Sequence, residues 1–189
     1  MGNPWESSIV SFENHDRQYG YKKGVNLFVG SSTIRLWNMN LFPNKEIINR
    51  GFGGSQVADL LHFYDRIIAK YSPKHVVLYS GENDLSYGKP VWEVYNDFKK
   101  LLDKILEDKK TRLTWILVKK SPARSKLNDK INLINSLIYK DYFGHENVDI
   151  INMNTLLNLH SYRKDYFRTD LLHLNDKGYS ILSKKIRFL

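Results

Sequence analysis

Short apolar runs alternate with longer amphipathic stretches along this chain. The apolar runs are rich in Val, Ile, Leu and aromatic residues, as is typical of buried strands. They predict strands at residues 25–29, 46–49, 75–79, 113–118 and 148–151. The amphipathic stretches predict helices at residues 33–39, 56–70, 91–106, 125–142 and 176–187. This alternation predicts an α/β fold in which helices cover a parallel sheet.

The chain has 189 residues, a length that favours a single domain. We expect one domain over residues 1–189, with residues 1–24 as an N-terminal extension that packs on the core. Hydrophobic residues make up 42% and charged residues 26%, which is a globular composition. The absence of cysteine excludes disulfides and thiolate metal sites, and the six histidines contain no HxxxH pair. We therefore expect no metal and no cofactor.

The net charge of +9 has three interpretations: a nucleic-acid surface, an anionic membrane surface, or a solvated lysine-rich exterior. The basic residues are spread along the chain in pairs such as Lys109-Lys110 and Lys184-Lys185, which favours the solvated exterior. The N-terminus has no apolar run typical of a signal peptide. We expect no nucleic-acid partner and no transmembrane anchor. The expected location is cytoplasmic, or periplasmic or secreted if a leader has been removed.

Three predicted strands end in glycine-rich or polar segments. These segments are residues 30–32 (GSS), 50–55 (RGFGGS) and 80–84 (SGEND). Because ligands of open parallel α/β sheets bind beyond the carboxyl ends of the strands, we expect the three segments to meet at one rim. Taken singly, these residues are ordinary turn or helix-capping residues. Their convergence is what indicates a site.

Near the C-terminus, Asp170 and His173 stand three residues apart in the sequence DLLH. A carboxylate that orients an imidazole makes a general base, and a serine after the first strand supplies a nucleophile. The residues alone leave open whether Ser31 or Ser32 attacks. Nucleophile first and acid–histidine pair last is a workable order, since geometry and not chain order defines a triad.

Four segments, in this order, resemble those of the SGNH hydrolases, also called GDSL esterases and lipases. They are FVGSS with Ser32, NRGFGGS with Gly54, GEND with Asn83, and DLLH with Asp170 and His173. The resemblance covers residues 25 to 185. The chain is most similar to a bacterial subgroup whose first segment reads GSS, then Ile-Arg and Trp. Ser31 stands where the GDS motif has aspartate. The G-x-S-x-G elbow of ordinary α/β-hydrolases is missing.

The resemblance implies a three-layer α/β/α fold with a five-stranded parallel sheet of flavodoxin-like architecture. It assigns the catalytic roles to Ser32, His173 and Asp170, with Ser32 preferred over Ser31 as the nucleophile. It assigns the oxyanion hole to the backbone N–H groups of Ser32 and Gly54 and the side-chain amide of Asn83. Glycine lets backbone approach a substrate closely, and an asparagine amide donates without a net charge.

The resulting expectation is a serine esterase of the carboxylesterase, acetylesterase or lysophospholipase type. Its substrate would be a small ester such as an acylated sugar, a short acyl ester or a lysolipid. Two alternatives share the fold: an inactive glycan- or lipid-binding module, and an acyltransferase that uses the same triad. Trp37, Tyr87 and Trp92 are candidates for a pocket wall, and Arg35 for contact with an anionic group. The sequence indicates no particular oligomeric state.

Overall fold

The computed structural model describes residues 3–159 and 163–188. In this part of the chain, five parallel strands form a sheet in the order β2-β1-β3-β4-β5. The strands are β1 Asn26–Gly30, β2 Ile47–Gly51, β3 His75–Tyr79, β4 Arg112–Ile116 and β5 Val148–Ile151. This is the strand order of flavodoxin-like folds. The predicted five-stranded parallel sheet is confirmed.

Helices follow the strands as in a doubly wound fold. They are α1 Glu6–Tyr19, α2 Ser32–Arg35, α3 Val57–His62, α4 Tyr64–Ile67, α5 Glu82–Ser86, α6 Val91–Leu106, α7 Asn128–Tyr142, α8 Met153–Leu156 and α9 Asp176–Ser183. Short 3₁₀ turns lie at Met39–Leu41, Ala69–Tyr71 and Pro122–Leu127. Among the described helices, none is both long and apolar enough to cross a bilayer.

Side chains of the central strands alternate between two hydrophobic cores, one on each face of the sheet. In β1, Leu27 and Val29 pack on one face, with α1, α3, α4, α6 and α7. Phe28 points to the other face, with α2, α8 and α9. This period of two is what strand geometry dictates, and burial on both faces explains why the strands read as continuous apolar runs. The three-layer α/β/α architecture is therefore confirmed.

Several predicted helices are shorter than the apolar periodicity suggests. The stretch 56–70 contains two helices, α3 and α4, because Phe63 between them leaves helical geometry at φ −95° and ψ 10°. The first helix after β1 ends at Arg35, and the last helix ends at Ser183. Both helices are thus shorter than the predicted ranges 33–39 and 176–187.

Helix α1 was not predicted as a helix because most of its residues are polar. It is held to the sheet by Ile9, which is fully buried, and by an ion pair between buried Asp16 and Arg50 of β2. Asp16 also accepts hydrogen bonds from the Tyr71 hydroxyl and from Lys70, the latter at 2.7 Å. Buried charges are tolerated when paired and hydrogen-bonded in this way. The N-terminal helix therefore packs on the sheet through polar as well as apolar contacts.

Candidate active site

Ser32 lies at the carboxyl end of β1, where the chain turns directly into helix α2. Ser31 takes the N-cap position in extended geometry and Ser32 is the first helical residue. The Ser31 N–H donates to the carbonyl oxygen of Tyr79 on β3 at 3.2 Å, which ties the turn to the neighbouring strand. Ser31 is buried, at 4% exposure, whereas Ser32 is half-buried. Of the two serines, Ser32 is the one accessible from outside.

The structure brings Ser32, His173 and Asp170 together, although Ser32 and His173 are 141 residues apart. The Ser32 Oγ lies 2.9 Å from His173 Nε2. The other ring nitrogen of His173, Nδ1, lies 2.7 Å from Asp170 Oδ2. A hydroxyl, an imidazole and a carboxylate joined in this order can activate the hydroxyl as a nucleophile.

Asp170 is also fixed by its own loop. Its Oδ1 accepts hydrogen bonds from the backbone N–H groups of Leu172 and His173, both at 2.9 Å. Burial acts to raise the pKa of Asp170, but the hydrogen bonds from the His173 ring and from these two N–H groups outweigh it. The pKa of Asp170 is lowered to about 2. The carboxylate is therefore charged at any neutral or mildly acidic pH.

The second and third strand-end segments meet beside the Ser32 turn. The Phe52 N–H donates to the Gly30 carbonyl at 3.0 Å, which joins the segment after β2 to the end of β1. The Asn83 Nδ2 donates to the carbonyl of Ser55 at 3.0 Å, which joins the segment after β3 to the residue that follows Gly54. Gly54 and Asn83 are thus brought next to each other at the rim where Ser32 lies, as expected for this topology.

Gly54 lies beneath an aromatic ring that the sequence did not point to. A β-carbon at Gly54 would lie 2.6 Å from Trp5 Cη2, and the residue has φ +81°, a conformation that favours glycine. Trp5 is held in place by a 2.9 Å hydrogen bond from its Nε1 to Asp59 Oδ2 and by edge contact with Phe52. The segment before α1 thereby forms one wall of the Gly54 turn.

A second unforeseen contact comes from the 3₁₀ turn Pro122–Leu127. Arg124 Nη1 donates to Asn83 Oδ1 at 3.0 Å. One residue earlier, the Ala123 N–H donates to the Leu171 carbonyl at 3.1 Å, within the loop of Asp170 and His173. Leu171 has φ +55°, which is uncommon for a residue with a side chain. This turn therefore contacts both Asn83 and the loop that holds His173.

The remaining candidates separate into buried and exposed residues. Trp37 is buried in the core, where its Nε1 donates to Ser183 Oγ at 2.8 Å. Tyr87 and Trp92 are 68% and 62% exposed. Arg35 lies against the backbone of Gly53, with its Nε 3.1 Å from where a β-carbon would be. Trp37 is accordingly a core residue, and Arg35 borders the glycine turn.

Comparisons with known proteins agree with this architecture. The model of the GDSL-like Lipase/Acylhydrolase family matches residues 28–181. A search of curated proteins gave no match. A Streptococcus pneumonia protein provisionally described as a platelet activating factor is 24% identical, with 94% of this chain and 89% of that chain covered and a TM-score of 0.81.

Two further solved structures share the fold. A GDSL-like lipase from Bacteroides thetaiotaomicron is 15% identical, with 94% of each chain covered and a TM-score of 0.79. A psychrotrophic esterase from Pseudoalteromonas, solved in a form inhibited by monoethylphosphonate, is 17% identical, with 86% of this chain and 93% of that chain covered and a TM-score of 0.65. The family match spans most of the sheet and all four segments of the rim. The chain belongs to the GDSL-like lipase/acylhydrolase family.

Proposed function

We propose that this protein is a serine esterase that hydrolyses a carboxylic ester, acyl or acetyl, through an acyl-enzyme on Ser32. The observation that carries the proposal is the continuous line of contacts from Ser32 Oγ through the His173 ring to Asp170, at 2.9 and 2.7 Å. A serine hydroxyl is a weak nucleophile at neutral pH and needs such a base.

In the first step, His173 carries its ring proton on Nδ1 and donates it in a hydrogen bond to Asp170, which leaves the Nε2 lone pair to accept the Ser32 proton. The Ser32 oxygen forms a bond to the ester carbon as the carbonyl π bond breaks. The carbonyl oxygen becomes an oxyanion, and the Asp170 carboxylate stabilises the imidazolium. When the intermediate collapses, the leaving alkoxide takes the proton from Nε2.

The oxyanion receives hydrogen bonds from the backbone N–H groups of Ser32 and Gly54 and from the Asn83 amide. This role is supported by the hydrogen bond from Asn83 Nδ2 to Ser55, which leaves the second hydrogen of that nitrogen for a substrate. Preorganised donors of this kind are commonly the largest contribution to acyl-transfer catalysis. Water, activated by His173, then hydrolyses the acyl-enzyme.

The substrate is a small ester such as an acylated sugar, a short acyl ester or a lysolipid. Support comes from the openness of the site, since the His173 and Asp170 side chains are 21% and 45% exposed. The proposal also treats the chain as a single catalytic domain, with the N-terminal extension packed on the core. The contact of Trp5 with Gly54 supports that view, because it ties the extension to the site.

The test is hydrolysis of p-nitrophenyl esters of increasing acyl length by the wild type, Ser32→Ala and Ser31→Ala. Ser31→Ala is the matched control because it removes a hydroxyl from the adjacent residue. Labelling by a phosphonate ester, followed by peptide mass spectrometry, identifies the nucleophile directly.

We expect Ser32→Ala to abolish hydrolysis and labelling, with its circular dichroism spectrum unchanged, and Ser31→Ala to retain both. Hydrolysis by Ser32→Ala at the wild-type rate would refute the proposal. Labelling of Ser31 would transfer the nucleophile role to that residue. Stoichiometric binding of an ester panel without turnover would instead indicate a binding module.

A further inference from the structure

A cluster of buried charged residues lies directly behind Asn83. Its centre is Glu82, whose Oε2 accepts hydrogen bonds from Lys119 and from the Tyr79 hydroxyl, the latter at 2.8 Å. Its Oε1 accepts from Ser121 Oγ at 3.0 Å and lies 3.7 Å from Arg124 Nη1. The side chains of Glu82 and Lys119 are 4% and 1% exposed. Such burial is costly unless the charges are paired, and here they are paired.

The charges of this cluster do not cancel. Burial acts to raise the pKa of Glu82, but the charge and hydrogen bond of Lys119, with Arg124, outweigh it and lower that pKa. Glu82 is therefore an anion between two cations, Lys119 and Arg124, and these three side chains carry a net charge of +1. A unit positive charge that is poorly exposed to water acts strongly on groups a few ångströms away.

Arg124 links this cluster to Asn83. Its Nη1 donates to Asn83 Oδ1 at 3.0 Å, while Asn83 Nδ2 donates to the Ser55 carbonyl at 3.0 Å. A cationic donor at one end of the amide and a carbonyl acceptor at the other permit only one orientation. A flipped amide would direct N–H groups at the guanidinium and an oxygen at a carbonyl. The donating end of Asn83 is thus fixed toward the rim.

The guanidinium also polarises the amide. A positive charge on the oxygen side draws electron density toward Oδ1, which makes the Nδ2 hydrogens better donors. Arginine retains its charge at every working pH and binds through a planar fork, so lysine is an incomplete replacement. Arg124 is only 22% exposed, because the 3₁₀ turn Pro122–Leu127 holds it against the site.

We propose that Arg124 is a positioning residue of the oxyanion hole: it sets the orientation of the Asn83 amide and increases that amide's strength as a donor to the oxyanion. The inference rests on the proposed esterase function. It predicts that Arg124 acts through Asn83, without touching the substrate, and that its loss lowers kcat and leaves KM nearly unchanged.

The experiment is a double-mutant cycle of Arg124→Met and Asn83→Ala, assayed with a neutral and an anionic ester of the same acyl length. Lys126→Met is the matched control, since Lys126 lies on the same turn and is exposed. Arg124→Lys retains the charge without the fork. Urea denaturation of each variant verifies folding, and if Arg124→Met does not fold, Arg124→Lys takes its place in the cycle.

We expect Arg124→Met to lower kcat roughly 10- to 100-fold for both esters, less than the ~10²- to 10³-fold loss for a missing oxyanion donor. KM should stay within about threefold. In the Asn83→Ala background the same substitution should have little further effect, because the two residues act together. The kcat of Arg124→Lys should lie between those of Arg124→Met and the wild type, and the kcat of Lys126→Met should equal that of the wild type.

Three kinetic results would overturn the inference. They are a wild-type kcat in Arg124→Met, a decrease in kcat that is fully additive with that of Asn83→Ala, and an effect confined to a higher KM for the anionic ester. A failure of the proposed function is separate, since it would appear as hydrolysis that survives Ser32→Ala. If hydrolysis does survive Ser32→Ala, a crystal structure of Arg124→Met still tests whether Arg124 orients the Asn83 amide. We expect the Asn83 amide to lose its single orientation, and an unmoved amide contradicts the inference.

Discussion

The α-carbon of Gly30 and the carbonyl oxygen of Tyr79 lie so close that a β-carbon on Gly30 would be 1.8 Å from that oxygen. The two residues are register partners on β1 and β3, and the same oxygen accepts the Ser31 N–H at 3.2 Å. Gly30 also has φ +147°, which residues with side chains rarely adopt. The position of the Ser32 hydroxyl therefore depends on the absence of a side chain two residues earlier.

We predict that Gly30→Ala loses about 3 kcal/mol or more of unfolding free energy and most of its esterase activity, because strand backbone must move to admit the β-carbon. The control is Gly88→Ala. Gly88 has φ +88° with nothing within 4 Å of a β-carbon, so it isolates the backbone cost, about 1–2 kcal/mol. Urea denaturation measures both, and equal losses would show that the Tyr79 contact is unimportant.

Asp170→Asn should reduce kcat on the order of 10³- to 10⁴-fold, because a neutral amide neither stabilises the imidazolium nor enforces the required tautomer. Asparagine can still accept the two backbone N–H bonds, so we expect folding to be preserved. Steady-state kinetics and circular dichroism provide the measurements. Asp176→Asn, an equal change of charge at an exposed position of α9, serves as the control. A loss of less than tenfold would exclude Asp170 as the orienting acid.

The low pKa of Asp170, about 2, determines at which pH this carboxyl can affect stability and activity. A carboxyl whose pKa is lowered by folding stabilises the folded state above the ordinary pKa of 3.8, and this contribution is lost as pH falls toward 2. Asp170 therefore does not titrate between about pH 5 and 9. Any limb of the kcat/KM profile over that range should therefore come from a group other than Asp170.

How much the sequence predicts depends on how local each contact is. Asp170 and His173 are three residues apart, so a short turn brings them together and the spacing alone predicts the pair. The apolar runs predict the strands because both faces of the sheet are buried. The predicted helix over 56–70 is wrong in its length, because the apolar periodicity continues through Phe63 while the backbone leaves helical geometry there.

Contacts across long sequence separations left no local signal. Arg124 and Asn83 are 41 residues apart and Trp5 lies 49 residues before Gly54, and nothing in the composition of either segment indicates the partner. Helix α1 is polar because an ion pair, Asp16 with Arg50, replaces part of its apolar face. These features come from tertiary packing, which a pattern of hydrophobic positions does not encode.

Gly54→Ala should lower kcat roughly 10- to 100-fold, because the new β-carbon, 2.6 Å from Trp5 Cη2, displaces the backbone N–H that we propose as an oxyanion donor. Combining it with Trp5→Leu removes the clash and leaves the φ +81° strain, so we expect partial recovery. Trp5→Leu alone controls for the lost hydrogen bond to Asp59. If the double variant is no faster than Gly54→Ala, the ring is not the obstacle.

Asp84 is fully buried, and burial raises its pKa to about 6 against the opposing effects of Lys89 and the Val57 N–H. The folded state then binds this proton more tightly than the unfolded chain, whose pKa is 3.8. The contribution of Asp84 to the unfolding free energy must therefore fall by up to about 3 kcal/mol as pH rises from about 4 to 6, and it stays level above that.

Asp84→Asn should remove this decline. The measurement is the unfolding free energy of the wild type minus that of the variant, by urea denaturation across pH 4 to 7. Asp97→Asn is the control, because Asp97 contacts the same Lys89 and remains 21% exposed. A wild-type minus Asp84→Asn difference that stays constant across this range would mean that Asp84 titrates as in the unfolded chain.

The proposed base His173 and its partner Asp170 lie three residues apart on one short turn, whereas the proposed nucleophile Ser32 follows strand β1 of the central sheet. A movement of that turn would carry imidazole and carboxylate away as a pair, so the bond between them would survive while the bond to Ser32 and the Ala123–Leu171 hydrogen bond would break. In such an open state His173 would keep its hydrogen bond to Asp170 but could not accept the proton of Ser32. Switching the enzyme off would then require moving one small loop, with no change in the protonation of either group.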